Sequence, residues 1–147
     1  MKYIFLSKQF YNDFKHELYP EIEYKENRPY VLLLLTIDGL TYAIPFRSNI
    51  KHNYAFITDK ENHCGIDYSK AIIITNKKYI SETFNGKSVY IRPNERRALF
   101  GQKYNIIKGL RNYIKEYKRA VKNKVSQKTF IFRISTLQYF HKELGLE

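Results

Sequence analysis

The side chains best suited to chemistry stand together in residues 42–52, which read YAIPFRSNIKH. An apolar run crosses a proline there and leads into five polar side chains, Arg47, Ser48, Asn49, Lys51 and His52. Arginine presents a planar fork that binds two phosphate oxygens and keeps its charge. Histidine exchanges protons most readily near neutral pH, so His52 is the candidate for proton transfer. We interpret this stretch as a strand end that holds an anion, and we expect the anion to be an RNA phosphate.

Such a set of residues suits RNA cleavage without a metal ion. The ribose 2′-OH is already the nucleophile, so the protein must align the attack, move two protons and stabilise a charged phosphorane. Each residue also has a structural interpretation. Arg47 would then only contact the RNA backbone, Ser48 would cap the turn after the proline, and His52 would be a loop histidine with satisfied hydrogen bonds. Tyr24 and Tyr30 fit either the core or stacking on bases.

Other chemistries find little support in the sequence. Metal-dependent nucleases gather carboxylates around hard cations, whereas the acids here are few and scattered. The four histidines have no ligand spacing, and Cys64 is the single cysteine. The six glycines are spread singly, so no phosphate-cradling loop is predicted. Ser48 also lacks the flanking glycine turn of a serine nucleophile. We therefore expect no metal, no cofactor and no disulfide.

The overall composition favours a nucleic acid as the partner. Lys and Arg number 26 against 14 Asp and Glu, a net charge of +12, beside 14 Tyr and 10 Phe. Aromatic faces stack on bases while cations follow phosphates, which favours RNA over an anionic membrane. A basic surface without a partner is the alternative. Residues 1–10 do not read as a signal peptide and the apolar run at 30–35 is too short for a bilayer. We expect a cytoplasmic protein without a membrane partner.

Apolar periodicity predicts one α+β domain over residues 1–147, built on an antiparallel sheet. Residues 30–46 predict a hairpin of two buried strands around Asp38 and Gly39. Further strands are predicted at residues 1–6, 53–59, 71–75, 88–92 and 128–134. Two shorter helices are predicted, one from a Ser7 cap to Pro20 and one from a Ser135 cap to Gly145.

A long basic helix is predicted over about residues 95–123, with Asn94 as its N-cap. Its apolar stripe comprises Ile107, Leu110, Ile114, Tyr117 and Val121. One residue later, on the flank of that stripe, follow Lys108, Arg111, Lys115, Lys118 and Lys122. Residues 96–133 hold twelve basic residues and one acid, whereas solvated helix faces usually alternate in sign. We interpret these cations as an RNA-binding groove wall, together with Arg96, Arg97 and Lys103.

Three segments carry a resemblance to a known family. They are KENRPY at 25–30, YAIPFRSNIKH at 42–52 and GIDYSKAIII at 65–74. Together they resemble the ToxN/AbiQ family of type III toxin–antitoxin endoribonucleases, especially its CptN-like branch, and the likeness extends over nearly the whole chain. It implies a twisted antiparallel sheet with helices around it, similar to the small partial barrel of Kid/MazF-type toxins.

The resemblance also implies an activity and partners. Family members cut cellular or phage mRNA without metal, leaving a 2′,3′-cyclic phosphate and a 5′-hydroxyl. Each is inhibited by a small repeated pseudoknot RNA antitoxin, which it processes itself, in a closed protein–RNA assembly. They act in phage defence by abortive infection or in plasmid maintenance.

By this resemblance the catalytic residues are Tyr24, Arg28, Arg47, Ser48 and Lys51, with Lys25, Tyr30 and Asn49 as further RNA contacts. Arginine stands at position 47 where the family has a smaller hydroxyl residue, and at position 28 where it has lysine. A one-residue slip around Pro29 leaves the choice between Tyr24 and Tyr30 open. His52 has no family counterpart, so its catalytic role rests on its chemistry.

A non-catalytic basic RNA-binding protein is the competing hypothesis. It accounts equally well for the charge and the tyrosines. It gives no reason for Arg, Ser, Lys and His to gather behind one proline. A DNA-binding regulator is disfavoured because no helix-turn-helix is apparent, so DNA is not an expected partner.

Overall fold

The structure is a computed structural model that describes residues 1–24 and 29–147. Its strands are β1 Lys2–Leu6, β2 Leu32–Ile37, β3 Leu40–Arg47, β4 Ala55–Asp59, β5 Cys64–Asp67, β6 Ile72–Ile73, β7 Ile80–Ser81, β8 Thr83–Phe84 and β9 Lys87–Ser88. Its α-helices are α1 Lys8–Asp13, α2 Pro93–Leu99, α3 Lys103–Lys122 and α4 Phe130–Arg133. Single 3-10 turns occur at Tyr68–Lys70, Lys77–Tyr79, Ser126–Lys128 and Thr136–Tyr139. Lys25, a predicted RNA contact, and Arg28, a predicted catalytic residue, lie outside the described residues.

The predicted hairpin is present as β2 and β3, and it lies at the centre of the sheet. Asp38 and Gly39 form its two-residue turn, both with positive φ (52° and 82°), which suits the twist of a tight hairpin. The strands run in the order β4-β5-β3-β2-β1-β7, with antiparallel pairing throughout, and β6 also pairs with β3. Among the described residues the edge strands β4 and β7 do not pair with each other, so this sheet is open. The α+β class with an antiparallel sheet is confirmed.

Pro45 explains why two strands share one edge of β3. The Phe46 amide donates to the Val31 carbonyl on the β2 side, so Pro45, one residue earlier, faces the opposite edge. Proline has no N–H to offer a neighbouring strand. At that point β5 has ended at Asp67, and the chain makes the turn Tyr68–Lys70 before β6 resumes pairing with β3. The interruption sets a group of polar residues beside the end of β3.

Helix α3 packs against the sheet through Ile106, Leu110, Tyr113, Tyr117 and Ala120, which are all buried. The predicted stripe was correct for Leu110 and Tyr117, whereas Ile107, Ile114 and Val121 are only partly buried. The buried face of α3 is therefore rotated slightly from the predicted stripe, and Tyr113, Tyr117 and Ala120 are part of it. Tyr113 and Tyr117 pack on Phe132 from the C-terminal part of the chain.

The long helix predicted over residues 95–123 is two helices. Pro93 occupies the first position of α2 and Arg92 its N-cap, so Asn94 is not the cap. The break falls at residues 100–102, where Gly101 has a φ of +71°, a conformation that glycine adopts readily. The first predicted helix is also shorter: Ser7 caps it, but it ends at Asp13. Phe14 leaves the helix and stacks 4.7 Å from the Phe10 ring.

Three predicted strands are wrong in whole or in part. Residues 128–134 alternate like a strand, yet residues Phe130–Arg133 form α4, in which Phe132 is buried, Ile131 is partly buried against the core and Phe130 is exposed. Of residues 71–75 only Ile72–Ile73 pair, and of residues 88–92 only Ser88 does. The final helix is a 3-10 turn, capped by Ser135 as predicted. In the described part of the chain, no helix combines the length and apolar character needed to cross a bilayer.

Candidate active site

The buried carboxylate of Asp67 organises the polar residues at the end of β3. It accepts hydrogen bonds from the Ser69 hydroxyl at 2.6 Å and the Ser69 amide at 2.9 Å, both on Oδ1. His52 Nε2 lies 3.1 Å from the same oxygen. Arg47 Nη1 donates to Oδ2 at 2.9 Å. Both carboxylate oxygens are therefore occupied by partners within the fold.

These partners decide the charge of Asp67. Burial raises the pKa of this carboxyl, since the side chain is 0% exposed. The hydrogen bonds from His52, Ser69 and Arg47 outweigh burial and hold the pKa of the Asp67 carboxyl below its usual range. Asp67 is thus a charged group inside the protein at neutral pH.

His52 is held at both ring nitrogens. The Tyr54 amide donates to Nδ1 at 3.0 Å, so Nδ1 is the acceptor and the proton sits on Nε2, facing Asp67. In this conformation the ring keeps no free nitrogen for a substrate. The geometry supports a positioning role, in which His52 ties the loop after β3 to Asp67.

Arg47 lies between two carboxylates. Besides Asp67, its Nη2 forms an ion pair with Glu23 Oε1, and the two side chains are similarly exposed, at 29% and 33%. Asp67 is fixed by its burial, whereas Glu23 borders solvent. The contact with Glu23 is therefore the one that an incoming anion can replace.

Arg47 and Ser48 open onto a cavity of about 590 Å³ at the end of β3. We call it the Arg47 cavity, and it is also lined by Glu23, Pro29, Tyr30, Val31, Phe46, Cys64, Tyr90, Ile91, Arg92 and Glu95. Ser48 is exposed and forms no hydrogen bond with any described residue. Asn49, at φ 57°, then turns the chain so that the Ile50 amide reaches the His63 carbonyl. The volume is that of a small-molecule or nucleotide site.

Among the described residues, the other predicted catalytic residues, Tyr24, Lys51 and His52, do not line this cavity. Tyr24 is 44% exposed, stacks near Tyr11 at 4.9 Å, and lines a different hollow beside Phe84. Tyr30 lines the Arg47 cavity, so location favours Tyr30 of the two tyrosines. Lys51 is exposed and does not line the cavity. Arg28 and Lys25 are outside the described residues.

The predicted groove wall is present in part on α3. A groove of about 780 Å³, which we call the α3 groove, is lined by Arg111, Lys115, Lys118, Arg119 and Lys122. The hairpin turn closes one side, where Arg111 pairs with Asp38 at 3.4 Å. Lys108 and Lys103 on α3, and Arg96 and Arg97 on α2, are exposed outside it. Leu40 lines the groove and Arg47 lines the cavity, and β3 spans about 23 Å between them, so the groove and the cavity lie toward opposite ends of this strand.

Several residues were missed from the sequence, chiefly Glu23, Asp67, Ser69 and Lys70. Lys70 is buried, and its Nζ donates to the Glu21 carboxylate at 3.0 Å, the Glu21 carbonyl at 3.2 Å and the Ile134 carbonyl at 2.8 Å. This anchors the connector that carries Glu23. The available signal was GIDYSKAIII, where an acid, a hydroxyl and a lysine interrupt an apolar run.

Within residues 1–24 and 29–147, no three His, Cys, Asp or Glu side chains converge as metal ligands.

Replacing Asp67→Asn should lower the free energy of unfolding by about 3 kcal/mol at pH 7, since it leaves Arg47 without its buried counter-charge. The folded pKa of Asp67 lies below its unfolded value, which is about 3.9. The contribution of the Asp67 charge to stability is therefore complete above the pKa of Asp67 in the unfolded chain, and it is lost as the pH falls through the pKa in the folded protein. Urea unfolding at a series of pH values should show the wild-type advantage shrinking below about pH 4.

The matched control for this measurement is Asp38→Asn, which removes an exposed pair and should change stability little. An Asp67→Asn variant as stable as the wild type at pH 7 would contradict the assigned role. A stability difference between the wild type and Asp67→Asn that stays constant down to acid pH would contradict it as well.

No family model, no curated protein and no solved structure matches this chain.

Proposed function

We propose that this chain is a metal-independent endoribonuclease, the toxin of a type III toxin–antitoxin system. The observation that carries the proposal is the meeting of Arg47, Ser48, Glu23 and Tyr30 around one cavity. A cation and a hydroxyl can position a phosphate and stabilise its charge, and a carboxylate can accept the proton of an attacking ribose 2′-OH. The net charge of +12 supports a polyanionic substrate.

The reaction follows from the two neighbours of Arg47. A phosphate of the substrate replaces Glu23 on the guanidinium, while Asp67 keeps the arginine in place. Ser48 donates a hydrogen bond to the same phosphate. The freed Glu23 carboxylate takes the proton of the 2′-OH as its oxygen bonds to phosphorus. The bond to the 5′ oxygen breaks, which leaves a cyclic phosphate and a 5′-hydroxyl.

Lys51 lies outside the Arg47 cavity, so in this proposal its flexible side chain reaches over the rim to deliver the proton to the leaving 5′ oxygen. Its ammonium is exposed and has no ion pair with any described residue. His52 is the other candidate from the sequence, but its engagement by Tyr54 and Asp67 supports a positioning role instead. Tyr30 stands at the cavity wall as a contact for the substrate.

The α3 groove is the proposed binding surface for the backbone of a pseudoknot RNA antitoxin. The cations of the α3 groove lie along one side of helix α3. In this proposal a folded RNA binds in the groove while its end extends to the Arg47 cavity. The closed protein–RNA assembly, the cytoplasmic location, the role in phage defence or plasmid maintenance, and the Kid/MazF-like sheet belong to the same proposal.

Ser48→Ala should abolish most RNA cleavage by the purified chain in EDTA, with a loss of about a hundredfold or more in rate. Ser48 is exposed and unpaired among the described residues, so folding should be unaffected. Ser88→Ala, on the exposed strand β9, is the matched control and should cut RNA like the wild type. RNA that stays intact with the wild-type chain but binds tightly would favour the non-catalytic RNA-binding protein.

Glu23→Gln should reduce the cleavage rate at neutral pH by about 10²- to 10⁴-fold, because the amide cannot accept the 2′-OH proton. Glutamine can still accept a hydrogen bond from Arg47. The pH–rate profile of the variant should lack the acidic limb that the wild type shows. Glu82→Gln alters an exposed carboxylate elsewhere and should leave the profile unchanged. A Glu23→Gln variant with the wild-type rate and profile would show that another group is the base.

Binding through the α3 groove should depend steeply on salt. In the Ser48→Ala background, the triple change of Lys115, Lys118 and Lys122 to Gln should reduce the slope of log affinity against log salt by about 2 to 3. The control triple changes Lys60, Lys77 and Lys87 to Gln, which alters the net charge equally at exposed positions elsewhere. Equal losses of slope in the two triples would contradict a specific groove.

A further inference from the structure

The start of α2 and the residues just before it form one wall of the Arg47 cavity, and this wall carries a second carboxylate, that of Glu95. Glu95 is only 8% exposed, and its Oε1 accepts a hydrogen bond from Arg92 Nε at 2.9 Å. Its Oε2 accepts no hydrogen bond from any residue that the structure describes. Tyr90 lines the same wall and is 68% exposed. This side of the cavity thus presents an acceptor, a cation and an aromatic face.

Glu95 is in the immediate neighbourhood of the Arg47 strand. The rings of Tyr3 and Phe46 lie 5.9 Å apart, and Phe46 directly precedes Arg47. Burial raises the pKa of the Tyr3 hydroxyl, the Arg96 charge opposes this, and the Glu95 charge adds to it. Phe46, Arg47 and Glu95 also line the same cavity, which places Glu95 beside the strand end.

Glu95 pairs with Arg92 in the first turn of α2. Since a carboxylate repels phosphate, Glu95 would contact a bound nucleotide through a part other than its phosphate. A carboxylate only accepts hydrogen bonds, through two parallel oxygens. Among the RNA bases, guanine alone presents two adjacent donors on its Watson–Crick edge, N1–H and N2–H. Adenine, cytosine and uracil each present one. The matching base is guanine.

We propose that Tyr90, Arg92 and Glu95 form a guanine-binding wall beside the phosphate site. Glu95 accepts from N1–H and N2–H, and Tyr90 stacks on the ring. Arg92 uses Nε for Glu95 and keeps its Nη donors for guanine O6 or N7. The inference rests on the proposed function, because it names the base next to the phosphate that Arg47 holds. The cavity volume of about 590 Å³ accommodates a nucleotide.

The test compares binding of guanosine 3′-monophosphate and adenosine 3′-monophosphate by titration calorimetry. The wild-type chain should prefer the guanine nucleotide by about tenfold or more, the discrimination of one good bidentate pair. In Glu95→Gln the preference should fall to within about threefold or reverse, because glutamine pairs bidentately with adenine. Glutamine keeps an acceptor for Arg92, and circular dichroism establishes that the variant is folded.

Two further variants make the outcome specific. Tyr90→Ala should weaken both nucleotides by a similar factor and leave their ratio unchanged, since stacking tolerates any base. Glu61→Gln, in the exposed loop after β4, should bind both nucleotides like the wild type.

The results separate this inference from the proposed function. Equal binding of the two nucleotides by the wild type, or an unchanged preference in Glu95→Gln, overturns the guanine wall even if the chain cuts RNA. A guanine preference that depends on Glu95 supports it, even if no RNA is cut and the endoribonuclease proposal fails.

Discussion

The structure depends on a buried negative charge, that of Asp67. A buried carboxylate is tolerated only when donors surround it, and here the donors come from the end of β3, the loop that follows and the turn after β5. Removing any one of them leaves the buried charge less fully compensated. The same contacts that stabilise Asp67 therefore fix Arg47 at the cavity and hold His52 in one tautomer. Stability and site geometry share one set of hydrogen bonds.

A break in the sheet makes this arrangement possible. Pro45 has no donor for the edge that β5 and β6 share, and the turn Tyr68–Lys70 fills the gap. The turn carries Ser69 to Asp67 and Lys70 to Glu21, so one irregularity orders both sides of Arg47. Gly65 is also required, because a Cβ there would lie 2.1 Å from the Phe56 carbonyl oxygen. Gly65 thus lets β5 pack closely on β4, and Gly65 is also the residue of β5 that pairs with Arg47.

The sequence predicted what local signals determine and missed what distant pairing determines. The hairpin turn at Asp38 and Gly39 and the Ser7 cap depend on neighbouring residues, and both were correct. The ion pair of Arg47 and Asp67 depends on the register of β3 with β5, which no local pattern encodes. The alternating pattern of residues 128–134 predicted a strand, but the segment forms α4, where Phe132 packs on Tyr113 of α3. That contact joins distant parts of the chain, so the local pattern does not reveal it. Arg47 and Ser48 were identified by type and spacing, but Tyr24 proved to line another hollow.

The most direct test of the central claim is the chemistry of the RNA ends produced by the purified chain in EDTA. The substrate is an RNA oligonucleotide, compared with the same oligonucleotide carrying one 2′-deoxy residue at the position of the cut. Attack by the ribose hydroxyl predicts a 2′,3′-cyclic phosphate and a 5′-hydroxyl from the first and no cut at that position in the second. Ends with a 5′-phosphate, cleavage at the deoxy position, or intact RNA in both would contradict the account.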